Sequence, residues 1–568
     1  MQPTNAPNRT SAAKRYGPLL AIVVVVAVIV VVAVISRGGG DDTEPAASGT
    51  ATTGGVEPGA GALSWSDAQA RGITDQIDWG DRCDTSRGRQ AYPSFFAQEC
   101  YAPFTGDNGG ATSPGVTADS IKVVLYLTPE TDPVIDFITS AIAVDDTNAQ
   151  TEQTVRGFIE LYERFYETYG RKVDLEVYTG TGSSEDEVAA RADAVAIAEK
   201  QPFAVLGGPL LTSAFGDELA ARKVVCIQCT PGQSDDWYIE RAPYVWGVGN
   251  TPEQGRAHLV EYIGKALAGR DAQYAGDPTL RSQPRRFGLV YLTTGTDSEQ
   301  LADTMGAELG AYGVTLAETL SYASPIDLQT SAPQLIAKLK QSGVTTVIFS
   351  GDPIAPQPLT RAATAQEYFP EWIAAGALTD TAAFARTYDQ RQWAHAFGVS
   401  SLAARTAPEL SSSYGLYRWY FGEPPPTKTG SPLTIPMVNL FYAAIQGVGP
   451  NLTPETFRQA LFDAQPTPRA ISQPSLSYGD KGIWPKTDYL GIDDATLIWW
   501  DPDAAGQDEI FREGRGLYRY VDGGKRYLPG EWPENGTPVF QVAGTVTIYD
   551  QPPPGEQVPD YPSPRRSG

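Results

Sequence analysis

Phe203-Ala204-Val205-Leu206-Gly207-Gly208-Pro209-Leu210-Leu211-Thr212-Ser213-Ala214-Phe215 is the stretch on which the fold turns. A short apolar run stops at two glycines and a proline, and two hydroxyl residues then open a helix-like segment. The pattern predicts a strand, a tight turn and a helix N-terminus. In an open parallel sheet, the carboxyl end of a strand is where ligands bind. The free N–H groups of a helix start favour an anionic or carbonyl-bearing guest, with Thr212 and Ser213 either capping the helix or touching that guest. On this stretch alone a plain cap explains the residues equally well.

Working outward, strands and helices alternate. Strands are expected at 121–128, 173–179, 224–228 and 244–248, with helices at 148–169, 184–199 and 214–222. The helix at 184–199 is expected to open with a capping box, Ser184 with Glu187. A second run follows: helix 252–267, strand 287–292, helix 298–312, strand 314–318, helix 332–341, strand 345–350, helix 357–368 and strand 372–375. Alternation of this kind predicts parallel sheets covered on both faces, and two runs predict an α/β chain of two doubly wound lobes joined near 248–254. Further helices are expected at 436–447 and 454–464. From Pro474 an aromatic, Gly- and Asp-rich stretch reads as an ordered, loop-rich packing extension.

The chain has 568 residues, 41% apolar and 19% charged, with 43 Lys plus Arg against 67 Asp plus Glu. A formal charge of −24 disfavours nucleic acid as a partner. Only two histidines occur, His258 and His395, neither beside a Cys or carboxylate at metal-ligand spacing. That scarcity weakens histidine-based catalysis and zinc binding; no catalytic residue, metal or cofactor is expected.

After a polar start carrying Arg9, Lys14 and Arg15, every residue from Leu19 to Ile35 is Leu, Ala, Ile or Val. At ~1.5 Å per residue this run spans a hydrocarbon layer, and the basic residues before it keep the N-terminus cytoplasmic. It reads as an uncleaved signal anchor rather than a cleaved signal, placing the folded part outside the cell membrane in a single-pass protein. The organisation expected is a cytoplasmic N-terminus (1–17), a transmembrane signal anchor (18–36) and a flexible linker (37–62). A disulfide-containing preamble (63–115) precedes a first lobe (116–250) and a second lobe (251–375). Return helices completing the lobes (376–470), an aromatic-rich C-terminal extension (471–550) and a loose Pro-rich tail (551–568) follow.

Four cysteines in an exported chain favour disulfides, Cys83 with Cys100 first. Cys226-Ile227-Gln228-Cys229 ends a strand. Fully extended, its two Cα atoms would stand about 10 Å apart, beyond disulfide reach; a turn at Gln228 would let them bond. A structural disulfide is the reading adopted, with buried thiols and a redox or metal site as the alternatives. Gly180-Thr181-Gly182 lacks the third glycine of a nucleotide turn, where Glu185 stands. Asp501-Pro502-Asp503-Ala504-Ala505-Gly506 resembles a calcium loop, but Ala505 and Arg512 occupy two ligand positions. A solvated acidic turn fits better.

Over residues 115–465 the chain resembles the type I periplasmic binding proteins, specifically the branched-chain amino-acid (Leu/Ile/Val-type) substrate-binding proteins of ABC transporters. The resemblance rests on Gly115-Val116-Thr117-Ala118-Asp119-Ser120-Ile121-Lys122-Val123, Gly170-Arg171-Lys172-Val173-Asp174-Leu175 and Phe203 to Ser213. It continues through Pro243-Tyr244-Val245-Trp246, Thr251-Pro252-Glu253-Gln254-Gly255-Arg256-Ala257 and Leu452-Thr453-Pro454-Glu455-Thr456-Phe457. It implies a bilobed clamp, not an enzyme, that captures a small polar solute such as an amino acid, peptide or amide, with a permease and an ATPase as partners. By matching positions, Leu211, Thr212 and Ser213 resemble the turn that receives a ligand carboxylate, and Thr230 and Gly232 the second contact loop of the first lobe. Thr294 and Thr296 lie where the second lobe offers an aromatic or hydroxyl. Asp352 and Asp380 are the acids expected to receive an ammonium group, or else to serve as loop caps. The chain departs from the family at Leu292-Thr293-Thr294-Gly295-Thr296 and at Cys229-Thr230-Pro231-Gly232, which leaves the ligand unassigned. The alternative is an extracellular sensor or scaffold that keeps the clamp and binds a protein partner. An exported hydrolase on this scaffold lacks a nucleophile–base pair.

Overall fold

The structure, a computed structural model, describes residues 61–565 apart from Val134, 137–145, Pro231, Thr294, Gly295, Ser324, Ile326, Ala377 and 428–430. The expected cytoplasmic segment, the signal anchor and nearly all of the linker lie outside the described residues. Among the described residues no helix is long and apolar enough to cross a membrane.

The preamble folds as helix α1 (Trp65–Ala70) and a minimal hairpin, β1 (Cys83–Asp84) with β2 (Arg89–Gln90). Cys83 and Cys100 are bonded with Cα atoms 5.7 Å apart. Trp79, Ala68 and Cys100 make its small core.

The first sheet is built by β3 (Ser120–Leu127), α2 (Asn148–Phe165), β4 (Lys172–Thr179), α3 (Glu187–Ala198), β5 (Ala204–Leu206), α4 (Ala214–Ala221), β6 (Val225–Ile227), α5 (Asp235–Glu240) and β7 (Val245–Trp246). All its strands are parallel, in the order β4-β3-β5-β6-β7. The second sheet begins after α6 (Pro252–Tyr262) with β8 (Phe287–Leu292), α7 (Thr296–Gly310), β9 (Glu318–Tyr322), α8 (Leu328–Gln341), β10 (Thr346–Ser350), α9 (Pro356–Ala365) and β11 (Glu371–Ala374). The short helices α10 (Ala382–Ala385) and α11 (Gln390–Trp393) then lead to β12 (Ala396–Ser400). Its parallel part runs β9-β8-β10-β11-β12, the same order as the first sheet. Each sheet therefore reverses direction once, between its first and third strands, and that is the topological switch point of a doubly wound sheet.

Alternation along the strands explains the layers. On β8, Phe287, Leu289 and Tyr291 enter one apolar cluster while Val290 and Leu292 enter the other. Residues i and i+2 share a face, so a strand buried on both faces has no polar side to show. Full burial of each such side chain contributes about 1.5–3 kcal/mol.

Beyond β12 the chain crosses back through β13 (Arg405–Thr406) to α12 (Tyr414–Phe421), α13 (Ser431–Val448) and α14 (Pro454–Asp463), which pack on the first sheet. It then returns to the second sheet. Here the expectation of a loop-rich extension is corrected: β14 (Ala495–Gln507) and β15 (Glu513–Tyr520) are long antiparallel strands added beside β12, with β16 (Arg526–Tyr527) on β14. Trp499, Trp500, Tyr518 and Tyr520 are buried in the second-sheet clusters. The aromatics read as loop packing because Gly506 and Gly516 interrupt their alternation. The loose tail is likewise corrected. Within 551–568 Glu556 and Ser563 are buried, and just before it β17 (Ile548–Tyr549), the end of the extension, pairs in parallel with β13.

Smaller corrections have local causes. Helix α3 opens at Glu187 because Asp186 is its cap, accepting from Val188 N and Ala189 N; Ser184 bonds Asp132 instead. The strand expected at 314–318 lies one strand-length later, at Glu318–Tyr322. The expected helix 252–267 is continuous but relaxes into a π turn at Ile263–Leu267.

Candidate functional site

The opening stretch folds as expected. β5 ends at Leu206, Gly207 turns with φ +77°, and α4 begins at Ala214. A β-carbon on Gly208 would stand 2.4 Å from the Cys229 carbonyl oxygen, so only glycine lets the two loops touch. Gln228 adopts φ +57°, the turn that brings the Cys226 and Cys229 Cα atoms to 5.8 Å, and the two sulfurs are bonded. The loops after β3, β4 and β5 are laced together. Asp132 accepts from Ser184 N at 2.7 Å and Ser184 Oγ at 2.6 Å, and Leu211 N donates to Ser184 O at 3.1 Å.

Three crossings join the lobes: after β7, after β12 and after α14. The first and third are stitched by backbone bonds, Gly247 N to Tyr489 O, Gly249 N to Leu490 O and Ile492 N to Gly249 O, all within 2.8–2.9 Å. Thr251 caps α6 through a capping box with Gln254, and Gln254 Nε2 donates to Asp488 Oδ1 at 3.1 Å. Asp488 also accepts from Leu490 N and Gly491 N, while burial pushes its carboxyl up to about 6.

Beside this hinge lies a cavity of about 320 Å³. The crossover residues Asn250 and Thr251 form one wall. The carboxyl ends of β10, β11 and β12 form another through Ser350, Ala374 and Val399, and Leu301 and Met305 of α7 add an apolar side. Gly232 reaches it from the first lobe and Asp380 from the second. Burial pushes the Asp380 carboxyl up to about 6, against a hydrogen bond from Ser400 Oγ that favours its charged form. Arg256 also lines the cavity, but Glu308 engages its guanidinium at 2.9 and 3.2 Å. Asp380 makes no ion pair among the described residues, so the acid is the uncompensated charge here.

Of the residues expected to bind, Gly232 and Asp380 come together at this cavity. Thr212 is buried and accepts from Ala214 N at 3.1 Å, and Ser213 Oγ donates to Asp217 at 3.2 Å. Both thus act within the helix start. Leu211 is buried in the apolar cluster of the second lobe, a contact between lobes rather than a carboxylate receiver. Thr230 is buried, and its Oγ1 has no hydrogen-bond partner among the described residues. Thr294 and the side chain of Thr296 lie outside the described residues. The expectation for Asp352 is corrected: its carboxylate accepts from Tyr322 OH at 2.6 Å, Ile354 N at 2.8 Å and Ala355 N at 2.9 Å, and nothing of it faces the cleft. Asp352 stands two residues past the end of β10 and caps the loop that follows it, whereas Asp380 stands six residues past the end of β11 and reaches the cavity. Sequence reading missed Asn250, Arg256 and Ser401 on the cavity wall. The Thr-Pro-x-Gln box that fixes the crossover was the available signal for the first two.

His258 also borders the cavity yet is committed elsewhere. An indole N–H only donates, so Trp532 Nε1 at 3.1 Å makes Nδ1 the acceptor, and Nε2–H donates to Asp493 O at 3.1 Å. Among the described residues no group of His, Cys, Asp or Glu is placed to hold a metal ion.

Two lobes of identical strand order, three crossings and a hinge-side cavity define a two-lobed α/β binding clamp. The sequence profile of the family described as periplasmic binding protein matches residues 134–480, and the chain belongs to that family, the type I periplasmic solute-binding proteins of ABC transporters, which are not enzymes. No curated protein matches the chain significantly. Solved structures that resemble it include a fatty acid ABC transporter substrate-binding protein from Thermomonospora curvata, at 16% identity and TM-score 0.49 over 75% of this chain and 97% of that one. A solute-binding protein from R. palustris in complex with 4-hydroxybenzoate gives 14% identity and TM-score 0.48 over 73% and 99%. A leucine-, isoleucine-, valine-, threonine- and alanine-binding protein from Brucella ovis gives 12% and 0.49 over 76% and 100%.

Proposed function

We propose that the protein captures a small solute in the hinge-side cavity and delivers it to an ABC permease at the outer face of the cell membrane. The observation that carries this reading is the unpaired acid Asp380 in a cavity with largely apolar walls. It favours a solute that presents an ammonium or other hydrogen-bond donor to Asp380 and an apolar body to Leu301, Met305 and Val399. A free carboxylate would meet like charge there. Anchoring by the apolar run at 18–36 is part of the proposal and is supported by its length and by the basic residues before it.

A thermal-shift screen of the soluble part against amines, amino acids, amides, polyols and sugars tests the reading, because a ligand that binds only the folded state raises its melting temperature. Stabilisation by amine-bearing solutes, lost in Asp380→Asn, is the expected result. Stabilisation that is indifferent to Asp380→Asn would move the site elsewhere. A blank screen, with no co-purified molecule in native mass spectrometry, would favour the sensor or scaffold reading.

A further inference from the structure

We infer that residues 550–565 form a strap between the lobes, a fourth connection that limits how far they rotate apart. The segment starts on the second lobe. β17 lies on β13, Tyr549 OH donates to Gly523 O at 2.9 Å, and Ile548 and Tyr549 pack on the second-lobe cluster. It is then pinned midway. The buried carboxylate of Glu556 accepts from Ile471 N at 2.6 Å and from Ser472 Oγ, both on the third crossing. It ends on the first lobe and on the preamble, which packs against that lobe through Tyr92 and Ala97. Tyr561 OH donates to Asp84 Oδ2 at 2.6 Å and Tyr561 O accepts from Trp419 Nε1 at 2.7 Å. Buried Ser563 donates to Tyr420 O at 2.9 Å, and Arg565 pairs with Glu160 at 2.8 Å while lying 4.6 Å over the Phe421 ring.

Length sets the outer limit of the restraint. Unpinned, the twelve steps from Tyr549 to Tyr561 would reach about 40 Å, but the Glu556 anchor leaves only about 17 Å of chain between it and Tyr561. Hinge closure in clamps of this build needs the lobes to rotate about their crossings, and any rotation that separates the Glu556 and Tyr561 anchors must break a bond or straighten this short span. The strap acts whatever solute the cavity takes.

Spin labels at Val188→Cys on α3 and Thr304→Cys on α7, both exposed positions, report the distance between lobes in the full chain, since the described cysteines are all bonded. Three backgrounds are compared: the parent, a quadruple variant (Trp419→Phe, Tyr561→Ala, Ser563→Ala and Arg565→Ala) that removes every first-lobe anchor named above, and a chain ending at Asp550. The strap predicts one narrow distance in the parent and a second, longer population in both others. Superimposable distances in the quadruple variant, with parental circular dichroism, would overturn it. If the shortened chain does not fold, the quadruple variant, which keeps β17 and Glu556, decides alone.

Discussion

Ser400 and Asp380 meet at the carboxyl ends of neighbouring strands, Ser400 Oγ donating to Asp380 Oδ2 at 2.5 Å beside the hinge cavity. The acid sits at about 6, above its unfolded value, so the folded chain holds a proton that the unfolded chain has released between about pH 4 and 6. This group therefore adds stability as pH falls through that window and withdraws it as pH rises through 6. Asp380→Asn is expected to be more stable than the parent at neutral pH, by about 3 kcal/mol at most, and the difference is expected to vanish near pH 4. Melting profiles that stay parallel across pH would contradict the assignment.

His258 titrates the other way. Burial pushes its imidazole down to about 4, so its contribution is complete above pH 6.5 and is lost as pH falls towards 4. With only two histidines in the chain, nitrogen-15 spectra can follow it directly. A neutral ring protonated on Nε2, unchanged down to about pH 5, is the expected outcome; titration near 6.5 would mean that the Trp532 contact does not hold.

Arg285 and Glu371 form a fully buried two-pronged pair at 2.8 and 2.9 Å, and Thr346 Oγ1 donates to the same carboxylate at 2.6 Å. They tie the entry of β8 to β10 and β11. Glu371→Ala leaves the guanidinium buried without its partner and is expected to cost about 3–5 kcal/mol in denaturant unfolding. A loss below about 1 kcal/mol would show the pair to be solvated.

The two disulfides close loops of different length, 17 and 3 residues apart in sequence. In the chain-entropy account, Cys83→Ser with Cys100→Ser costs about 3 kcal/mol, and Cys226→Ser with Cys229→Ser about 2 kcal/mol. Reversed ranking would point to an added role for the short bridge in holding the Gln228 turn.

Thr230→Val replaces a buried hydroxyl that lacks a partner by an isosteric methyl. Stability is expected to rise by about 1 kcal/mol. A loss would reveal a hydrogen bond to Thr230.

The architecture was readable because its signals are local. Apolar runs stopped by Gly-Gly-Pro, and capping residues at Thr251 and Thr453, mark strand ends and helix starts without reference to distant chain. The site was less readable, since Asp352 and Asp380 look alike in sequence. Only the folded chain shows that Tyr322, on a different strand, reaches Asp352, while Asp380 meets a cavity. The C-terminal quarter was misread for the same reason. Its strands are specified by antiparallel pairing with β12, a partner a hundred residues earlier in the sequence, and the tail by single anchors such as Glu556 and Tyr561 that carry no periodicity.

Because Tyr561 closes against Asp84, and Gly61 lies near Pro450 and Phe104, both ends of the described chain emerge from the same lobe. Any load applied through either end, whether a tether before the preamble or a bulky fusion after Arg565, is borne by that lobe as the fixed frame. The other lobe is left as the moving jaw, and a surface-immobilised sample held by either end would report the same swing.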